Sequence, residues 1–296
     1  MKRILSLILI IGMLFLSSSC TGNESETDST SLSELTVQLT GFEISQSSLE
    51  SGKYHTNAIG DNWGISKIDV AIFDSEGSKV CDIKQSKGDE DFGTIKQKIH
   101  VGKYKVVAIA RAGNNSQDII ITSPEQADMQ EERIYDVFCA VKEVDINGQT
   151  PTTLTMSLDH VISMFCLNIT DAIPDDVKSI QIIFRKDKDE SRQYSTFNPS
   201  TGLQSGDYKT GRTAILTSHD PQSIKYFSFL TADEESVDIT VNALNEEGTV
   251  LFTHSFENVP MKMNRKTSAT GAFFTNETTT TFSYTDSWLS DYTMTF

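Results

Sequence analysis

The feature that most restricts this chain is a hydrophobic period of two instead of 3.6. Leu35, Val37 and Leu39 alternate with polar neighbours, and Ile68, Val70 and Ile72 do the same. Tyr104, Val106, Ala108 and Ala110 follow a Gly102-Lys103 turn, and a run from Ile119 to Ile121 comes next. After a break at Asn147-Gly148 and Pro151 the pattern resumes, with Val161, Phe165, Leu167 and Ile169 on one face and Ile180, Ile182 and Phe184 on another. Further strands are expected at 226–230, 237–244, 250–256, 272–274 and 292–296. Successive side chains of a strand point to opposite faces, so each run covers one side of a sheet.

Turn residues punctuate these runs at Ser75-Glu76-Gly77, Gly113-Asn114-Asn115 and Asn245-Glu246-Glu247-Gly248, as hairpin loops require. Helix signals are few, and Ser123-Pro124-Glu125-Gln126 is the best candidate for a single turn. The expected fold is all-β, with two tandem antiparallel β-sandwiches at 34–147 and 148–296. Gly, Pro and Thr cluster at the boundary, between Val144 and Thr153. No short-period repeat is visible, although the two halves look alike. The charged stretch Arg185 to Arg192 reads as a solvated loop between strands.

The amino end has a different character. Met1, Lys2 and Arg3 precede a mostly apolar run from Ile4 to Leu16, then Ser17, Ser18, Ser19 and Cys20. Such a run is too short to span a hydrocarbon core of about 30 Å and reads as a removable export signal over residues 1–19. Cys20 after small residues resembles a bacterial lipobox, whose thiol receives a diacylglycerol, although Ser17 stands where Leu is usual. Two or more acyl chains hold a protein stably on a membrane. Residues 20–33 are polar and acidic and read as a flexible tether. Glu24, Glu26 and Asp28 loosely resemble the acidic signals that send lipoproteins to the outer cell surface.

Cleavage before Cys20 leaves 277 of 296 residues and removes Lys2 and Arg3 from the 25 basic ones, against 41 acidic, for a balance of −18. That charge repels nucleic acid and suits a soluble extracellular surface. Cys81, Cys139 and Cys166 remain after Cys20 is acylated, an odd number with no CxxC spacing. They read as buried free thiols, with one bridge left open as an alternative. The sequence carries no GxSxG, HExxH, P-loop, GxGxxG or EF-hand pattern. His55, His100, His160, His219 and His254 stand apart. Asp89, Glu90 and Asp91 lack the alternate spacing of a calcium loop. No catalytic residue, metal or cofactor is therefore expected.

The strings ISKIDVAIFDSEG, HVGKYKVVAIARAGN, LDHVISMFCLNIT and NVPMKMNRKTSATGAFF, with the lipobox start, resemble the FimB-type fimbrial anchor and accessory subunits of type V pili. That family is related to the fimbrillins. The resemblance implies transthyretin-like sandwiches, a place in a fimbrium at the outer membrane, and other fimbrial subunits as partners. Shaft subunits of the family lose an N-terminal strand to an Arg- or Lys-specific protease, opening a groove for a neighbour's C-terminal strand. This chain has no Arg between Arg3 and Arg111, and Lys53 is the only Lys or Arg between Ile4 and Ser66, so cleavage at Lys53 is disfavoured. The strand containing Leu35, Val37 and Leu39 is expected to be retained, as an anchor requires.

Tyr292, Met294 and Phe296 alternate with Asp291, Thr293 and Thr295, making the last residues a candidate strand donor. Its competing role is to complete its own sheet. Trp63 and Trp288 are expected in cores. The alternative function is glycan binding by a surface lipoprotein, with Tyr54, Tyr194 and Tyr208 as candidate loop platforms.

Overall fold

The computed structural model describes residues 31–40, 65–112, 119–131, 134–184, 193–209, 211–275 and 283–284. Among the described residues the structure is all-β, with twenty strands and no helix.

In the first half, β1 (Leu32–Thr40) lies between β4 (Thr94–His100) and β9 (Thr152–Ser157). A second sheet runs β10 (Asp159–His160), β8 (Val137–Ile146), β5 (Gly102–Ala112), β2 (Ile65–Asp74), β3 (Lys79–Ser86). Leu35, Val37, Ile68, Val70, Val106, Ala108, Phe138 and Met156 share one core. These are the alternate apolar positions of their strands.

The second half repeats this plan. One sheet is β16 (Gln222–Ser228), β11 (Ser163–Ile169), β19 (Lys266–Gly271), β20 (Ser283–Tyr284). The other is β15 (Gly211–Ile215), β12 (Ser179–Phe184), β17 (Glu234–Leu244), β18 (Val250–Lys262). Phe165, Leu167, Ile180, Phe184, Tyr226 and Val241 lie in its core. The order β4-β1-β9 matches β16-β11-β19, and β8-β5-β2-β3 matches β18-β17-β12-β15. The halves are thus a structural duplication that no sequence period betrays.

The sequence predicts antiparallel pairing throughout, and two pairs depart from it. β1 with β9, and β11 with β19, run parallel, because the first and last strands of each seven-strand unit are neighbours with the same direction. Parallel neighbours need a long crossover, and here the rest of each unit supplies it.

A fifth sheet joins the halves. β6 (Ile120–Ser123) and β7 (Gln126–Glu131) are inserted between β5 and β8, and β13 (Gln193–Phe197) and β14 (Gln204–Lys209) between β12 and β15. They pair across the halves as β14-β13-β7-β6, with β7 and β13 antiparallel from Glu131↔Gln193 to Ala127↔Phe197. Thr196 Oγ1 donates to Asp128 Oδ1 at 2.6 Å, and Phe197 stacks on Phe229 at 4.3 Å. Beneath lies a further core containing Phe73, Val107, Ile109, Met129, Cys139, Val161, Phe197 and Phe229. β2 and β5 are consequently buried on both faces, so Asp69, Ala71 and Phe73 are inside where alternation predicts a solvent face.

Four local expectations are corrected. Ser123 to Gln126 is the β6–β7 hairpin turn, with Glu125 N–H bonded to Ser123 Oγ at 3.2 Å, because both flanking runs are extended. The segment 272–274 follows β19 but is not a strand: the Asp171 carboxylate accepts the N–H groups of Phe273, Phe274 and Thr275 at 2.8, 2.7 and 3.0 Å. The turn at Asn147-Gly148 leads into β9, which stays with the first sheet by pairing to β1. β1 itself begins at Leu32, inside the segment read as tether.

Candidate functional site

The candidate site is the first strand and the groove that it fills. Leu35, Val37 and Leu39 are 0, 0 and 2 % exposed, so alternation alone drives β1 into the core. On one side it pairs with β4 from Leu32↔His100 to Gln38↔Thr94, and on the other with β9 from Leu35↔Thr152 to Thr40↔Ser157. The ends are fastened as well. Ser31 O accepts from Val101 N–H at 3.2 Å and Ser33 Oγ donates to Thr150 O at 3.4 Å, while Leu39 N–H reaches Gly93 O at 3.0 Å and Thr40 O accepts from Leu158 N–H at 2.8 Å. Gly148 closes the near end at φ +75°, where a Cβ would lie 2.7 Å from Val101 Cγ2.

Such a strand does no bond-making chemistry. Withdrawing it would leave two unpaired backbone edges and a row of apolar pockets, which is the arrangement that strand addition recognises.

Several other ionisable groups among the described residues serve the packing or their own loops. Arg111 Nε lies 3.4 Å from Asp69 Oδ2. His160 bridges the halves, with Nε2 3.1 Å from Asp136 Oδ1 and Nδ1 2.8 Å from Asn264 Oδ1 in the β18–β19 turn. His254 Nε2 contacts Phe273 O at 2.8 Å. Asp89 Oδ2 accepts Ser86 N–H at 2.8 Å and Asp91 Oδ2 meets Lys96 Nζ at 3.3 Å, so these acids hold their own loop. Among the described residues no group of three His, Cys, Asp or Glu is arranged for a metal.

Cys81, Cys139 and Cys166 are free thiols. Burial, then the charge of Asp159, pushes the Cys139 thiol up to about 12. Cys81 is only half-buried, and its thiol is raised by burial against a bond from Asp82 backbone. Burial and Asp74 raise the Tyr104 phenol.

Tyr194 and Tyr208 lie in the paired strands β13 and β14 and not in ligand loops. Cys20, Lys53, Tyr54, Trp63, Trp288 and the donor candidates Tyr292, Met294 and Phe296 lie outside the described residues. Sequence reasoning found β1 but missed β9 and the β7–β13 junction. The polar alternation of Thr152 to Ser157 was a signal for the former.

Among solved structures, the chain is similar to the fimbrial anchor protein Mfa2 from Porphyromonas gingivalis at 9% identity, covering 81% of this chain and 90% of that one, with a TM-score of 0.43. It is also similar to the tip fimbrial protein Mfa3 from Porphyromonas gingivalis with C-terminal truncation, at 9% identity over 86% and 99% of the two chains, with a TM-score of 0.44. No curated protein matches. Residues 35–240, from the buried heart of β1 into β17, match the model of the fimbrillin-A associated anchor proteins Mfa1 and Mfa2, and the chain belongs to that family.

Proposed function

We propose that this protein is a lipid-tethered fimbrial anchor or minor subunit at the outer membrane surface, which joins other subunits by β-strand addition. The observation that carries this reading is β1: its three inward side chains are at most 2 % exposed and its backbone is paired on both sides. A subunit whose groove is already filled by its own chain has no vacancy there for a partner's strand. It engages a neighbour by offering a strand of its own. Family membership and the lipobox-like Cys20 support the same role. In this reading acylated Cys20 holds the chain to the membrane and Tyr292, Met294 and Phe296 enter successive pockets of the next subunit.

The test is deletion of Asp291–Phe296 in cells that assemble the fibre. Shed fibres with a folded, membrane-held subunit are the expected result, and unchanged attachment overturns donation. Cys20→Ala should separately release the protein from the membrane fraction.

A further inference from the structure

The turn that carries the chain from β8 to β9 closes the near end of β1, and it holds the chain's only asparagine followed by glycine, Asn147-Gly148. Gly148, at φ +75°, rests on Val101 and Ser31, which are themselves joined by the 3.2 Å bond from Val101 N–H to Ser31 O. Two residues further on, Thr150 O accepts from Ser33 Oγ at 3.4 Å. A change in backbone length at Asn147 is therefore felt where β1 enters its groove.

The turn is built to allow such a change. Asn147 and Gly148 are exposed, and the last ladder pair before them is Gly102↔Ile146. Among the described residues no backbone hydrogen bond spans 147–151, and the Gly148 N–H meets no acceptor. What holds the turn is the Asn147 side chain, whose Oδ1 accepts the Gln149 N–H at 3.1 Å. That bond draws electron density from the side-chain carbonyl and makes Cγ a better electrophile. Glycine has no side chain to shield its nitrogen and turns freely into the attacking geometry. Other asparagines lack this neighbour: Asn198 precedes Pro199, which has no N–H, and Asn245 precedes Glu246.

We infer that Asn147 is a self-modification site, at which spontaneous deamidation through Gly148 loosens the near end of β1. The Gly148 nitrogen bonds to Asn147 Cγ, its proton leaves with the side-chain NH2 as ammonia, and a succinimide closes. Water then opens the ring. Cleavage of the bond to Cγ gives aspartate, whereas cleavage of the bond to the main-chain carbonyl carbon gives isoaspartate, with one more methylene in the backbone. The aspartate keeps an acceptor for the Gln149 N–H. The isoaspartate loses it, because Cγ has become part of the peptide link. No partner or oxidant is needed, and the inference goes beyond the strand-addition reading: the filled groove loses a fastening with age.

The full chain is kept folded in warm, mildly alkaline buffer and sampled by peptide mass spectrometry that separates aspartate from isoaspartate. Acid at position 147 should accumulate about tenfold or more faster than at Asn245, whose neighbour shields its nitrogen. Asn147→Gln, which must close a larger ring, should slow the step by about tenfold or more. Gly148→Ala is avoided because its Cβ would strike Val101 Cγ2 at 2.7 Å. In the aged chain, amide exchange at Val101 should quicken about fivefold, the worth of one hydrogen bond, while Leu39, bonded to Gly93 O at the far end, should not change. Freshly prepared Asn147→Asp, which adds the charge without the methylene, should exchange like the parent. Conversion confined to the urea-unfolded chain, or conversion that leaves Val101 exchange unchanged, overturns the inference. So does equal quickening at Val101 and Leu39, which would mark general unfolding.

Discussion

Arg111 and Asp69 form an ion pair between the adjacent strands β5 and β2, each residue 2 % exposed. Removing one partner takes a counter-charge from an ionic group that is closed off from water. Asp69→Ala should cost about 3 to 5 kcal/mol, whereas the double variant Asp69→Leu, Arg111→Met should recover most of that loss. Urea unfolding of the three proteins checks the ordering.

Phe197 has no solvent exposure and stacks on Phe229 where the two halves share strands. Phe197→Ala should cost about 3 to 5 kcal/mol. The loss falls on the junction, so one cooperative transition should split into two. Scanning calorimetry of the variant against the parent reads this directly.

The thiols should separate by reactivity. With its value near 12, Cys139 is about one part in ten thousand thiolate at pH 8, so it should resist alkylation until the chain unfolds. Half-buried Cys81 should react first. Because the folded value of Cys139 lies above the ordinary 9.0, its contribution to stability is full below pH 9 and is lost as pH rises toward 12. Mass spectrometry after timed alkylation, and denaturation across that interval, test both statements. Cys139→Ala should flatten the alkaline loss.

Gly202 sits at φ +72°, and a Cβ there would meet Val161 Cγ1 at 2.4 Å and Val161 Cβ at 2.5 Å. Val161 is 3 % exposed, and its Cβ is held by the backbone and cannot swing aside. Gly202→Ala should therefore destabilise by more than about 1 kcal/mol, and an added Val161→Ala should relieve part of the loss. A double-mutant cycle in urea measures the coupling.

Much of the fold was legible because alternation has a direct physical meaning when one face of a strand is wet. Leu35, Val37 and Leu39 fall on the buried face of β1 by that rule, whereas in β12 Gln181 and Ile183 are buried together with Ile180, Ile182 and Phe184. Ala71 and Phe73 lie on the face that alternation leaves to solvent, yet they are buried because the chain supplies a second cover, β6–β7 with β13–β14, from segments far apart in sequence. No local pattern announces that a face will be sealed by strands about fifty or more positions away. The parallel partner of β1 was missed for a related reason: Thr152 to Ser157 has only two apolar residues, Leu154 and Met156, and its place is set by a neighbour over a hundred residues earlier. The candidate site was therefore half visible, as a strand without its walls.

The parallel pairing of β1 with β9 has a mechanical consequence. Entry at Leu32 and departure past Ser157 lie at opposite poles of the first half, because the strands run side by side in one direction. Tension applied between the amino end and the second half thus drags the two strands past each other lengthwise. Their six register pairs share that load together instead of opening one after another like a zip. β11 and β19 meet the same pull in the same geometry, so a tug along the chain acts on each half in its most resistant direction.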